Sequence, residues 1–349
     1  MTGELVLDTA IVPNEEWDAF ITSHPEGHHE QCSGFARQRE RFGFNAERVC
    51  LRDGAVIVGG AQILRRKTTL GRFGFLFRGP LVSPGYEYAL NYLGRAILRH
   101  SERRRYAGLR VELFPNQMQV YEELTALGCS PVPVPASDRQ SCIVALSRGH
   151  GAVTDGMHYN VRRYSGGHRS QSGLIVENAG REGLTEFYRL HSATSDFHSF
   201  PRFPETYFDY LWDAFGEQGK LFCLLAILDG EPIAGILNTV VGARMYYGWG
   251  GMARHARAKR AMPNYPLHLA AMRIARARGL THYDFTGTSS FKRQFASSTS
   301  VWPTPIQQHF GKLSQLRRWA SSQYYRGGIV SRSVVRLSRV LRPYPQMPY

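Results

Sequence analysis

With 349 residues and a hydrophobic fraction of 43%, the chain is long enough for two packed domains, and it lacks the polar low-complexity runs that would mark long disorder. Lys and Arg number 43 against 28 Asp and Glu, and only five of the cations are lysines, so a polyanionic partner is expected: RNA, a nucleotide-linked substrate, CoA or, transiently, an anionic membrane surface. The five cysteines, Cys32, Cys50, Cys129, Cys142 and Cys223, are scattered and never form a C-x-x-C pair, which argues against a disulfide framework or a zinc ribbon.

In chain order, the first stretch carries Glu4, Asp8, Glu15 and Glu16 where a secretory leader would need positive charge, and no run is long enough to span a bilayer. A cytoplasmic protein is expected. His28-His29-Glu30-Gln31-Cys32-Ser33-Gly34 nearly spells the His-His-x-x-x-Asp-Gly signature of peptide condensation domains but has Ser33 where that signature needs aspartate, so it reads as a loop before a helix. No acidic or cysteine partner completes a metal set around His24, His28 and His29, and no metal is expected.

Next comes a hairpin: an apolar run at Arg48 to Arg52, an Asp53-Gly54 turn, then Ala55-Val56-Ile57-Val58-Gly59-Gly60. An aromatic strand, Phe73 to Gly79, a helix from Tyr88 to Arg105, and Gly108-Leu109 leading into another strand follow. The same order returns in the second half. Leu221 to Leu228, the Asp229-Gly230 turn and Glu231 to Ile236 form a hairpin; Met245 to Gly251 a strand; Pro266 to Arg278 a helix with Leu267, Ala270, Ala271, Ile274 and Ala275 on one face; Gly279-Leu280 the approach to a last strand. This order of strand, strand, strand, helix, strand matches the acyltransferase fold called GNAT. The expected class is therefore α/β (α+β), two tandem GNAT-like domains, each a twisted mixed sheet flanked by helices. Residues 1–150 form the first domain, after a strand at Ser141 to Leu146; residues 151–311 form the second. Residues 312–349 are a basic extension in which Arg332, Arg336 and Arg339 recur at helical spacing, before an extended tail at Pro343 to Pro348.

Within this order the second half reads Ile233-Ala234-Gly235, Tyr246-Tyr247-Gly248-Trp249-Gly250, Pro263-Asn264-Tyr265-Pro266-Leu267, Tyr283-Asp284-Phe285-Thr286-Gly287 and Phe291-Lys292-Arg293-Gln294-Phe295. The first half adds Gln31, Phe35-Ala36-Arg37-Gln38-Arg39, Gly43-Phe44 and Arg78-Gly79-Pro80. As an ordered set spanning residues 30–300, these segments resemble the Fem family of aminoacyl-tRNA-dependent peptidyltransferases. The resemblance implies transfer of an amino acid from aminoacyl-tRNA to an amine, on a peptidoglycan precursor or on an antibiotic scaffold, with the tRNA as co-substrate and no resident cofactor.

The resemblance also implies roles for individual residues. Lys292 takes the position of the lysine at the tRNA end and the transition state; Arg39 that of a lysine reading the acceptor's phosphates; Arg78 that of the Arg-Gly-Pro arginine; and Arg202 with Tyr207 that of an acceptor-binding pair. Three departures point away from the standard peptidoglycan acceptor and toward a small amine-bearing metabolite: Arg39 replaces lysine, Phe35 replaces tryptophan, and Arg202 lies five residues before Tyr207 instead of four. From the residues themselves, a cation at Lys292, just past a strand end, suits an oxyanion or a leaving ribose oxygen. Tyr247, or Tyr246 beside it, offers a hydroxyl to the acceptor while the other packs inward, and glycines 248 and 250 leave space for a ligand. Glu112 and Asp284 hold matching strand-end positions, where a carboxylate either orients and deprotonates the amine or caps a turn.

Two other functions compete. An acyl-CoA-dependent N-acyltransferase shares the fold, but its glycine-rich pyrophosphate loop is replaced here by the glycine-free Arg254-His255-Ala256-Arg257-Ala258-Lys259-Arg260-Ala261. A noncatalytic RNA-binding protein explains the charge and leaves the duplicated halves unexplained.

Overall fold

The computed structural model describes residues 5–9, 12–68, 71–132, 134, 139–146, 154, 156–165 and 173–310. These fall into two compact units, one of residues up to 134 plus those from 302 onward, the other of residues 135–301.

The first unit runs β1 (Leu5–Asp8), α1 (Asn14–Ser23), a 3-10 turn (His29–Gln31), α2 (Ser33–Glu40), β2 (Phe44–Asp53), β3 (Val56–Thr68), β4 (Gly71–Leu76), β5 (Leu81–Val82), α3 (Leu90–Arg103), β6 (Tyr106–Val111), α4 (Met118–Ala126) and β7 (Ser130–Pro131). The second runs β8 (Gln140–Ala145), α5 (Tyr159–Ser165), β9 (Leu174–Asn178), α6 (Leu184–His198), α7 (Thr206–Phe215), β10 (Leu221–Leu228), β11 (Glu231–Val241), β12 (Arg244–Met252), α8 (Ala256–Ala261), α9 (Asn264–Ala277), β13 (His282–Asp284), α10 (Ser290–Arg293) and β14 (Ser298–Val301). The chain then returns to the first unit as β15 (Ile306–His309).

One sheet has the order β1-β2-β3-β4-β6-β15-β7 with β5 on β3; the other has β14-β8-β13-β12-β11-β10-β9. Both predicted hairpins form, β2–β3 and β10–β11. Their Asp-Gly turns use the left-handed backbone that glycine tolerates best, with Gly54 at φ +58° and Asp229 and Gly230 at +48° and +83°. The two helices of the repeat also form, α3 burying Leu93, Ala96 and Ile97, α9 burying Leu267, Ala271 and Ala275. The crossing between units falls at 134/135, earlier than the boundary expected at 150. The reason is strand pairing: β8, assigned from sequence to the first domain, lies antiparallel to both β13 and β14 in the second sheet. The basic extension from 312 onward lies outside the described residues.

The parallel pair at the centre of each sheet behaves differently in the two units. In the first, β4 and β6 pair from Arg72↔Tyr106 to Leu76↔Val111, and Glu112 N–H to Leu76 O (2.9 Å) and Gly79 N–H to Glu112 O (3.2 Å) extend the contact past the strand ends. In the second, β12 and β13 pair only at Arg244↔His282, Met245↔Tyr283 and Tyr246↔Asp284. The chain after Asp284 instead follows β8, through Phe285 N–H to Cys142 O (3.0 Å) and Cys142 N–H to Gly287 O (3.1 Å). β12 and β13 therefore fork at Tyr247, and the rest of β12 has no neighbour on that side among the described residues.

Candidate active site

The fork in the second sheet gathers three of the residues singled out in the sequence. Asp284 closes β13 and is 5% exposed; one carboxylate oxygen accepts from the Ser141 hydroxyl and from Thr286 N–H at 2.7 Å. Those bonds hold Thr286 in a left-handed turn (φ +47°), from which its hydroxyl donates to the Tyr247 carbonyl across the mouth of the fork. Asp284 thus shapes the turn that carries the chain away from β12, the capping alternative of the two read from sequence.

Past this turn, Ser289 caps α10 by accepting from Lys292 N–H at 3.1 Å, and the Lys292 side chain folds back into the fork. Its Nζ donates to the Phe285 carbonyl at 2.9 Å and stands 5.0 Å above the Tyr247 ring. A Cβ on Gly287 would meet that nitrogen at 3.1 Å, so the glycine keeps the approach open. Burial lowers the Lys292 pKa to about 8, although Cys142 and Asp284 pull it the other way. An ammonium so placed has one donor fixed by a carbonyl and two left for a ligand.

Tyr247 is half-buried, whereas Tyr246 is buried at 3% exposure, as alternation requires. Packing raises the Tyr247 hydroxyl to about 12, so it stays a hydrogen-bond donor at neutral pH. The glycines of β12 also have structural uses. Gly248 falls at the register shift opposite Leu237/Asn238, a β-bulge. A Cβ on Gly250 would lie 2.1 Å from the Tyr247 hydroxyl, and one on Gly251 would strike the α6 backbone at Leu190 and His191 (2.4 Å).

Sequence reasoning missed the buried polar chain beneath Tyr247. The Tyr283 hydroxyl donates to Asn238 Oδ1 (3.0 Å) and accepts from His268 Nδ1–H (2.8 Å), since its one proton is already committed. The His268 ring stands 4.8 Å from those of Tyr247 and Phe285. Burial, with Lys292 adding repulsion, lowers its pKa to about 3, so the imidazole is neutral. A histidine on the buried face of α9, next to Leu267 and Ala271, was the available signal.

Arg202 and Tyr207, expected as a pair, face different surroundings. Arg202 is exposed and bonded to Asp196 (Nε to Oδ1, 2.9 Å), while Tyr207 is 1% exposed on the apolar side of α7 with Phe203, Phe208 and Trp249 around its ring.

The remaining residues lie in the first unit. Arg39 covers the Phe35 ring at 4.6 Å, and Arg78 (φ +51°) stacks on Trp302 at 3.5 Å with Glu30 at 3.6 Å. Both arginines act electrostatically on buried His29, whose pKa falls mainly through burial and then through His28. Glu112 forms an ion pair with Arg110 at 2.9 Å. Its backbone joins Gly79, so Glu112 and Arg78 are near neighbours. Among the described residues no group of three or more His, Cys, Asp or Glu could hold a metal ion, and no helix is long and apolar enough to cross a membrane.

The repeated strand order and the fork define a tandem GNAT-like fold, and residues 157–293 match the acetyltransferase (GNAT) domain family. The chain is similar to the Lipid II:glycine glycyltransferase of Staphylococcus saprophyticus, with 20% identity in an alignment covering 83% of this chain and 87% of that protein. Among solved structures, FemX aligns with a TM-score of 0.73 at 20% identity, covering 88% of this chain and 99% of that one. A tandem GNAT protein from the clavulanic acid biosynthesis pathway aligns with a TM-score of 0.55 at 12% identity, covering 88% and 99%. The resemblance to the Fem family read from the sequence is thus found in comparisons spanning most of the chain.

Proposed function

We propose that this protein is an aminoacyltransferase that forms an amide by moving an amino acid from aminoacyl-tRNA to an amine acceptor, with Lys292 in the fork as the central group. The observation that carries the proposal is the Lys292 ammonium, fixed on the Phe285 carbonyl where β12 and β13 part. In the reaction the acceptor nitrogen attacks the ester carbonyl, the new C–N bond forms, and the ester C–O bond to ribose breaks. The amine loses one proton and the departing ribose oxygen gains one. Lys292 stabilises the tetrahedral oxyanion and, with a pKa of about 8, can give its proton to the ribose oxygen. Tyr247 donates to the acceptor or the carbonyl, and Asp284 positions the Thr286 turn.

Two observations support tRNA over CoA. At the start of α8, His255 Nδ1 already accepts from Ala258 N–H (3.1 Å), taking a donor that a pyrophosphate would use. Beyond the end of β12, Arg254 (4.4 Å) and Lys259 (6.0 Å) flank the exposed ring of Phe197, a pairing of cation and aromatic surface suited to RNA. The glycyltransferase named among the relatives acts on lipid II, which favours a peptidoglycan-precursor peptide as the acceptor over the small metabolite read from the sequence departures. Arg39 and Arg78 are then the acceptor-side cations of the first unit.

The test is a coupled reaction containing free amino acid, ATP, synthetase and tRNA, with a lipid II analogue and an amine-bearing small molecule as parallel acceptors. Ribonuclease should abolish product. Product that survives ribonuclease, or forms equally well from acyl-CoA, overturns the donor assignment; the acceptor that reacts decides the other half.

A further inference from the structure

A cleft of about 930 Å³ opens in the first unit, where β1 ends and the edge of β2 from Phe44 to Val49 is left without a strand neighbour on that side among the described residues. Five arginines line it from three elements: Arg37 on α2, Arg48 on β2, and Arg99, Arg103 and Arg104 in or just past the last turns of α3. It is distinct from the surroundings of Arg39. On α2 the cleft takes Ser33, Ala36, Arg37 and Glu40, whereas Arg39 turns to Phe35.

Only two carboxylates line the cleft, an excess of three positive charges before His100 is counted. One of them, Glu47, is already saturated by Arg65 (2.7 Å), His100 (2.9 Å), Arg104 (3.1 Å) and the Tyr106 hydroxyl (3.0 Å). Burial works against its ionisation, yet those bonds hold the carboxyl well below the usual range. The other, Glu40, is exposed at the rim.

Arg37, Arg99 and Arg103 have no carboxylate partner among the described residues; Arg37 donates only to Ser33 Oγ (3.3 Å). Arg48 is held by neutral acceptors, the Val12 carbonyl (2.9 Å), Asn14 (2.8 Å) and Gln62 (3.2 Å). Nearby Asp18 is taken by Ser33 N–H at 2.7 Å and by the Ser33 hydroxyl. Arg99 and Arg103, four residues apart on one helix face, repel each other. The dipole of α3 accounts for cations at its own C-terminus but not for those that reach the cleft from α2 and β2.

We propose that this cleft binds a compact diphosphate ester, at a site separate from the transfer chemistry. Guanidinium forks match phosphate oxygens pairwise, and three uncompensated positive charges suit a diphosphate better than a single carboxylate. The volume is that of a small-molecule site (roughly 300–1,000 Å³), and its concave shape fits a compact ligand better than an RNA backbone. Tyr92, 40% exposed and one turn before Ala96 on the same face of α3, stands where the organic part of the ester would rest.

Calorimetric titration of the full chain with inorganic pyrophosphate and with ADP, at low and moderate salt, tests this. Wild type should bind at one site, and Arg99→Ala/Arg103→Ala should weaken binding by about tenfold or more. Arg260→Ala/Arg273→Ala, which removes equal charge from exposed positions of the second unit, should leave it unchanged. Thermal melts verify folding, since all four side chains are exposed. Equal weakening in both double variants, or no diphosphate binding by wild type, overturns the proposal. Binding of a tRNA pool that needs Arg99 and Arg103 while pyrophosphate and ADP fail to bind also overturns it, and makes the cleft an RNA surface. None of these outcomes depends on whether the fork transfers aminoacyl groups.

Discussion

The two units share a strand order and differ where the central parallel strands end. In the first, the backbone of Glu112 keeps the chain after β6 joined to that after β4, and side chains fill the neighbouring breaks. Gln31 accepts from Gln62 N–H (2.7 Å) and donates to Gln62 O (3.2 Å) and Phe77 O (2.5 Å), filling the space on β3 between the end of its pairing with β4 and its pairing with β5. Gln117 accepts from Phe114 N–H (3.0 Å) and donates to Pro80 O (2.5 Å). In the second unit, among the described residues, the Thr286 hydroxyl bonds across the fork to the Tyr247 carbonyl, and the Lys292 ammonium stands over the Tyr247 ring. One duplicated frame continues its central contact past the strand ends, and the other lets it part.

The largest expected effect lies at the open fork. Lys292→Ala should lower transfer by ~10²-fold or more, the scale of losing one oxyanion-stabilising group. Glu112→Gln, at the matching place in the first unit, should change kcat only a few-fold, by about 1 kcal/mol or less. Comparable losses in both variants would erase the functional difference between the units.

Stability should show the reverse pattern. Gln31→Ala leaves buried backbone groups of Gln62 and Phe77 without partners and should destabilise by about 2–3 kcal/mol in denaturant titrations. Tyr283→Phe strands His268 Nδ1 and Asn238 Oδ1 beneath the fork and should cost about 1–2 kcal/mol. If Gln31→Ala proves neutral, its bonds to Gln62 and Phe77 are not structural. The smallest effects belong to Arg39→Ala and Arg78→Ala, which should raise the acceptor KM more than they lower kcat; an unchanged KM in both removes them from acceptor binding.

Local chemistry made much of this fold readable. The Asp53-Gly54 and Asp229-Gly230 turns announce both hairpins, and the apolar face of α9 announces the helix that supports the fork. The fork was not readable, because it depends on which neighbour the chain after Asp284 pairs with, and the winner, β8, lies far back in the sequence. For the same reason β8 was assigned to the wrong unit. Lys292 and Tyr247 stood out by residue type and position. The capping role of Asp284 needed Ser141, and the His268–Tyr283–Asn238 chain needed three elements, so neither leaves a local trace. Tyr207 lies one residue off the family spacing from Arg202 and on the buried face of α7, where packing decides its surroundings.

The most direct test of the account is the pH dependence of kcat/KM, which reports the groups of the free protein, measured for wild type and for Lys292→Arg. The folded pKa of Lys292, about 8, lies below its ordinary 10.5, so over that window the unfolded chain binds more protons and this group's contribution to stability rises with pH. The ammonium proposed to assist transfer is lost over the same window. Activity should therefore fall along an alkaline limb near pH 8 while stability does not. An arginine does not titrate there, so the residual activity of Lys292→Arg should lack that limb. The same limb in both proteins, or none in wild type, would contradict the assignment of Lys292 as the working cation of the fork.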